Sequence, residues 1–217
     1  KEITPDLQRC LEKTCENLFL DVNKVNAYVT SSPEIQAGCM SFNKESCVIT
    51  LTSAVINLLD LNEIKFVIGH ELGHFLLSHN IEEKYASVSQ EGYIKTRAQE
   101  ISVDRIGLLA CKDIDVATQA IVKSLSGLNE KYVTFNMQAF LKQLDSDIAK
   151  KEESGQFSTH PSFILRAKAL LRFSLSGPYL QHTKNGFGTN INEIDKLIRG
   201  DLNLYIDKDL RQDIKQS

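Results

Sequence analysis

The first third of the chain has one helical pattern followed by three short extended patterns. Residues 6–20 place apolar side chains at helical spacing, which predicts a helix. Residues 26–30, 38–42 and 47–51 are typical of strands, and the polar residues 43–46 between the last two favour a hairpin turn. This part of the sequence therefore predicts a helix followed by a small sheet.

From residue 52 onward the apolar pattern is mostly helical. We predict helices over residues 52–59, 61–79, 97–111, 116–125, 136–151 and 161–173. Asp60 and Glu63 have the spacing of a capping box at the start of the second of these helices. Residues 174–188 are rich in Ser, Gly and Pro and are predicted to be a linker before a polar tail. We therefore expect a domain over 1–174, a polar C-terminal extension over 175–217, and an α+β fold that is mainly helical, with a small mixed sheet packed on the helix over 61–79.

Composition excludes some functions and bounds the location. The formal net charge of −3 over 217 residues gives no basis for a nucleic-acid partner. The five cysteines form no CxxC pair and are predicted to be free thiols in a reducing compartment. No apolar run approaches the roughly 18 residues of a membrane span. We expect a cytoplasmic protein or, because the chain does not begin with Met, a soluble domain of a membrane-anchored or exported protein with a trimmed N-terminus.

Residues 70–74 read His-Glu-Leu-Gly-His, an HExxH motif within a predicted helix. Positions i and i+4 share one helix face, so His70 and His74 can bind one metal ion. Glu71 lies beside His70 and can act as base toward a water that zinc has acidified. The alternative is a pair of core histidines without metal, although burying both beside a carboxylate is costly. Gly73 inside a helix indicates that another backbone or a substrate comes close.

A catalytic zinc needs a third protein ligand and an open fourth position. Glu100 and Asp104 are also at i and i+4 on a predicted helix, and we expect Glu100 to complete a site for one zinc ion per chain. Asp104 is then expected to accept a hydrogen bond from the second ring nitrogen of His70. The alternative is a solvated acidic face that pairs with Arg97 and Arg105.

Two further histidines, His160 and His79, lie outside the HExxH motif. His160 precedes a proline, which disfavours helical geometry and allows the side chain to project from a loop. His160 and Arg166 are candidates to stabilise an oxyanion. The spacing alone favours the alternative of an N-capping loop before a helix, in which Arg166 pairs with Asp104 or Glu100. His79 is five residues beyond His74 and is predicted to point away from the metal.

Together these motifs resemble the M48 family of metallopeptidases, which includes the CAAX prenyl proteases and the HtpX-like bacterial proteases. The resemblance runs over about residues 26–172 and depends on four motifs: Asn26-Ala27-Tyr28, HELGH at 70–74, ExxxD at 100–104 and HPxxxxR at 160–166. Because the chain lacks the membrane helices of those proteases, it is most similar to small soluble members, and a CAAX substrate does not follow.

The resemblance implies a gluzincin-like zincin fold in which the two histidines and Glu100 bind zinc. It also implies that His160 and Arg166 support the transition state, and that the strand with Asn26, Ala27 and Tyr28 lies beside the substrate cleft. The function predicted is a zinc endopeptidase that binds a peptide or protein substrate extended along an edge strand. The alternatives are an inactive zinc-binding or scaffold protein with the same fold and a metal hydrolase of another amide. The oligomeric state stays open.

Overall fold

The computed structural model describes residues 4–41, 45–79, 90–133 and 163–202, with backbone only for 90–94. The chain divides into two compact units. One comprises residues 1–86 and 102–141, and the other comprises residues 87–101 and 142–217.

The described elements follow the predicted order closely. They are α1 (Pro5–Asn17), a short 3-10 turn (Val22–Lys24), β1 (Val25–Thr30), β2 (Ala37–Ser41), β3 (Cys47–Thr52), α2 (Ser53–Leu58), α3 (Leu61–Leu76), α4 (Gln90–Cys111), α5 (Ile114–Ser126), α6 (Phe163–Ser174), α7 (Gly177–His182) and α8 (191–202). The predicted helix over 136–151 lies outside the described residues. Among the residues described, no helix is both long and apolar enough to cross a membrane.

The three strands form one mixed sheet in the order β1-β3-β2. β1 runs parallel to β3, and β2 runs antiparallel to β3. α3 packs against β2 and β3 and also contacts α1 and α5. The core between them is fully buried at Ile49, Ile64, Ile68 and Leu72. The predicted α+β class with a small mixed sheet on the HExxH helix is confirmed.

The ends of α3 are defined by local chemistry. Asp60 accepts hydrogen bonds from the backbone N–H groups of Asn62 and Glu63, and Glu63 accepts one from the backbone N–H of Asp60. This capping box satisfies donors that the first turn of a helix leaves free. The predicted extension of α3 to His79 is wrong, because the helix ends at Leu76 and Ser78 adopts a positive φ of 58°.

The second unit has its own small core. Buried side chains of α6 and α8 pack together with Ile101 of α4. The core consists of Ile101, Leu165, Ala169, Ile194 and Ile198. Asp201 accepts hydrogen bonds from Lys168 at 2.7 Å and from Arg172 at 2.9 Å. These contacts join α6 to α8 within the unit.

The predicted linker over 174–188 contains a helix, so that prediction is wrong for residues 177–182. The Ser and Pro residues that suggested a linker begin α7: Ser176 caps it by accepting from the backbone N–H of Tyr179, and Pro178 lies in the first turn. Tyr179 is buried. The proposed domain boundary at 174/175 stays a prediction.

Candidate metal centre

The candidate metal centre lies where α3 crosses α4 at short distance. Two glycines of α3 face α4: a Cβ at Gly69 would lie 2.4 Å from the Ala110 Cβ, and one at Gly73 would lie 3.1 Å from the Val103 Cα. The close approach predicted for Gly73 is therefore confirmed. A Cβ at Gly107 of α4 would lie 2.9 Å from the backbone oxygen of Phe66 on α3. Small residues at the crossing bring the two backbones together, and this fixes where the polar side chains of both helices meet.

We expect Gly69→Ala to lower the free energy of unfolding by about 1–3 kcal/mol, the range for an overpacked core. The added methyl group cannot rotate away, and its neighbour at 2.4 Å is the Cβ of Ala110 on a packed helix. Urea unfolding of both proteins measures the change.

The matched control is Gly200→Ala. Gly200 is also helical, but it is exposed, and a Cβ there would meet nothing within 4 Å. This control is expected to be neutral or stabilising by up to about 1 kcal/mol, because alanine is the better helix former. Equal effects of the two substitutions would contradict tight packing at Gly69.

Three side chains form a candidate metal site. His70 and His74 are one turn apart on α3, with ring centroids 5.2 Å apart. Glu100 is on α4, one turn before Asp104, and is 5% exposed. One ligand atom from each of His70, His74 and Glu100 lies within 4.8 Å of the others. Among the described residues, these three are the group that meets this distance criterion.

Asp104 lies behind His70. Its Oδ1 is 2.9 Å from the Nδ1 of His70, and its side chain is 1% exposed. A buried carboxylate is an acceptor, so it favours the tautomer in which His70 carries its proton on Nδ1. The Nε2 of His70 is then left with a lone pair for a metal ion. The hydrogen bond between Asp104 and His70 is the one that the sequence predicted.

Glu71 lies beside β2. Its negative charge is one of the influences that raise the pKa of the Cys39 thiol on β2, after the hydrogen bond with Cys47, burial, and the charge of Cys47. Glu71 itself is half-buried. The Glu71 carboxylate therefore lies at the boundary between the sheet and the HExxH helix and is partly open to solvent.

The chemistry of the donor set fits zinc. Two imidazoles and one carboxylate are the ligands of catalytic zinc sites in which a fourth position stays open. The second carboxylate, Asp104, sets the His70 tautomer that metal binding requires. The burial of Glu100 and Asp104 also limits competition from water.

The other predicted site residues are placed as follows. His160 lies outside the described residues. Arg166 is on α6 and is buried, with 8% of its surface exposed. Asn26, Ala27 and Tyr28 are exposed on β1, at the sheet edge opposite β2, whereas α3 packs against β2 and β3. Their functional roles stay predictions.

The sequence reasoning missed His79. It is 9% exposed, and its Nδ1 lies 3.3 Å from the Nδ1 of His74. The prediction that it points away from the metal agrees with its absence from the three grouped ligands among the described residues. Its contact with His74 was not predicted, because a continuous helix was expected, whereas α3 ends at Leu76. An apolar run that stops before a Ser-His pair was the available signal.

Two helices that cross at an HExxH motif, with a carboxylate of the second helix near both histidines, form a candidate metal site. The sequence profile of "Peptidase family M48" matches residues 2–94 of this chain. These residues include the HExxH motif but not Glu100 or Asp104.

Curated relatives agree with that match. The plastoglobule-localized metallopeptidase 48 of Arabidopsis thaliana is 25% identical over 80% of this chain and 58% of its own length. A Protease HtpX homolog of Helicobacter acinonychis is 42% identical over 24% of this chain and 16% of its own length. The chain thus spans less than two thirds of each relative. No solved structure matches. These findings confirm the resemblance of the chain to the M48 metallopeptidases.

Proposed function

We propose that this protein is a zinc-dependent endopeptidase. The observation that carries the proposal is the grouping of His70, His74 and Glu100 within 4.8 Å, with Asp104 bonded to His70. A core histidine pair without metal does not require a buried glutamate within reach of both rings. The zincin type of the fold and the binding of one zinc ion per chain are parts of this proposal.

Each residue has a proposed task in peptide hydrolysis. His70, His74 and Glu100 would hold zinc, which when bound supplies a Lewis acid and lowers the pKa of water to about 7. Glu71 accepts a proton from the attacking water and delivers it to the leaving amine nitrogen. Asp104 keeps the His70 ring in one tautomer and orientation. His160 and Arg166 are proposed to donate hydrogen bonds to the oxyanion, as the family resemblance implies.

The substrate is proposed to bind as an extended strand along a sheet edge. Both β1 and β2 are edge strands of the described sheet, and each leaves one row of backbone donors and acceptors outside it. Packing favours β2, because β2 contacts α3 and its Cys39 lies near Glu71. A peptide hydrogen-bonded to β2 would present its backbone carbonyls to the HExxH helix.

Zinc content tests the proposal first. The purified protein is expected to contain about one zinc ion per chain, and Glu100→Ala is expected to lose most of it, because two histidines alone are an incomplete site. Elemental analysis after dialysis against a weak chelator gives both values. A quenched-fluorescent peptide library then measures hydrolysis by the loaded protein.

The matched control is Glu16→Ala. Glu16 is an exposed glutamate that pairs with Lys13 on α1, so its loss is expected to leave the zinc content unchanged. Failure of the wild-type protein to bind added zinc would contradict the proposal. Stoichiometric zinc without hydrolysis of any peptide would instead favour the inactive zinc-binding alternative.

A cytoplasmic location is part of the proposal. It is supported by the cysteines, all five of which are free thiols. Such thiols persist in compartments that keep cysteine reduced.

A further inference from the structure

His79 reaches the candidate metal site through an abrupt turn. The chain leaves the helix at Leu77, Ser78 adopts the left-handed conformation, and His79 turns back toward α3. Its ring lies 5.4 Å from the His74 ring, with 71° between the planes. The two Nδ1 atoms are 3.3 Å apart. Left-handed backbone at a non-glycine residue is costly, so packing must hold this turn in place.

A hydrogen bond between two Nδ1 atoms needs one proton, which only one of the rings can carry there. If His74 binds a metal through Nε2, its own proton must be on Nδ1. His74 is then the donor and His79 the acceptor, which requires His79 to be neutral with its proton on Nε2. His79 itself is not part of the group of three ligands found among the described residues. Its place is therefore behind His74 rather than at the metal.

The two histidine ligands consequently have different supports. Asp104 accepts from Nδ1 of His70, and His79 is placed to accept from Nδ1 of His74. We propose that His79 is a positioning residue that holds the His74 ring with Nε2 toward the metal. This inference depends on the zinc site proposed above. Because imidazole is neutral, it orients His74 without adding a second negative charge behind the ligands.

Zinc affinity tests this role. We expect His79→Phe to weaken zinc binding by about 10–100-fold, the usual cost of removing a partner of a metal ligand. Phe keeps an aromatic ring but has no acceptor. His79→Asn places a carbonyl oxygen near the former Nδ1 and is expected to recover most of the affinity. Competition with a chromophoric chelator gives each dissociation constant.

Thermal unfolding in EDTA separates positioning from folding. The metal-free His79→Phe and His79→Asn proteins are expected to unfold at similar temperatures, so that they differ chiefly in zinc affinity. If the His79→Phe protein does not fold and shows no cooperative unfolding transition, His79→Leu makes the same comparison with a smaller side chain. The matched control is His182→Phe, which is expected to bind zinc like the wild type. His182 is on α7 and is not one of the three grouped ligands.

The outcomes distinguish this inference from the proposed function. No zinc binding by the wild-type protein overturns the metal site itself. Wild-type affinity in His79→Phe overturns the role of His79 and leaves the metal site intact. Equal weakening by Phe and Asn also overturns it, because His79 would then act through its shape and not as a hydrogen-bond acceptor.

Discussion

Glu71→Gln is expected to lower kcat for peptide hydrolysis by roughly 10²–10⁴-fold, the usual contribution of a general base. Glutamine has nearly the shape of glutamate but cannot accept a proton at neutral pH. Zinc content is expected to stay at the wild-type value, because Glu71 is not among the three grouped ligands. Steady-state kinetics with a fluorogenic peptide, beside elemental analysis of the same samples, measures both quantities.

Glu12→Gln is the control for this prediction. Glu12 is exposed on α1 and is hydrogen-bonded only to the side chain of Gln8 among the contacts described for it, so its amide is expected to leave kcat unchanged. A Glu71→Gln protein that retains zinc and full kcat would remove Glu71 from the mechanism. Loss of zinc together with activity would indicate instead that Glu71 supports the metal site.

The sequence predicted the parts of the site that follow from helical periodicity. The i, i+4 spacing of His70 and His74, and of Glu100 and Asp104, holds on any regular helix. The capping box at Asp60 was equally local. Periodicity alone does not say which helices cross, and Gly73 was the sequence's indication of a close approach.

Other features required the three-dimensional structure. The residue pattern does not predict that Ser78 adopts a left-handed backbone conformation, so the turn that brings His79 to His74 was not predicted. Serine and proline are common both in linkers and at the start of helices. Ser176 and Pro178 begin a helix, so the linker predicted over residues 177–182 was wrong. Lys123 belongs to a helical pattern in which lysine is usually exposed. Its burial depends on a partner 60 positions earlier in the chain.

That partner is Glu63, and the pair joins the start of α3 to the end of α5. The Lys123 Nζ lies 2.9 Å from the Glu63 Oε1, and both side chains are 3% exposed. Glu130, 72% exposed, adds a contact at 3.1 Å. Burial alone would lower the pKa of Lys123, but the hydrogen bonds and charges of Glu63 and Glu130 outweigh it and raise that pKa. The cation is therefore retained inside the protein.

Lys123→Met is expected to lower the free energy of unfolding by about 3–5 kcal/mol, because it leaves the Glu63 carboxylate buried without its cation. A pKa that is higher in the folded state means that the stabilisation is complete below the ordinary lysine pKa of about 10.4 and is lost as pH rises beyond it. The difference between the two proteins should therefore be constant from about pH 6 to pH 9 and shrink in more alkaline solution. Urea unfolding at several pH values measures it.

A double variant shows whether charge is the cause. Glu63→Gln combined with Lys123→Met removes both charges, while glutamine can still accept from the backbone N–H of Asp60 in the capping box. The double variant is expected to be more stable than Lys123→Met alone, and Glu130→Gln, at an exposed partner, to cost at most about 1 kcal/mol. If the double variant were the less stable one, lost packing of the lysine stem would explain the effect. In the expected case, the pair anchors the first turn of α3, the helix that carries His70 and His74.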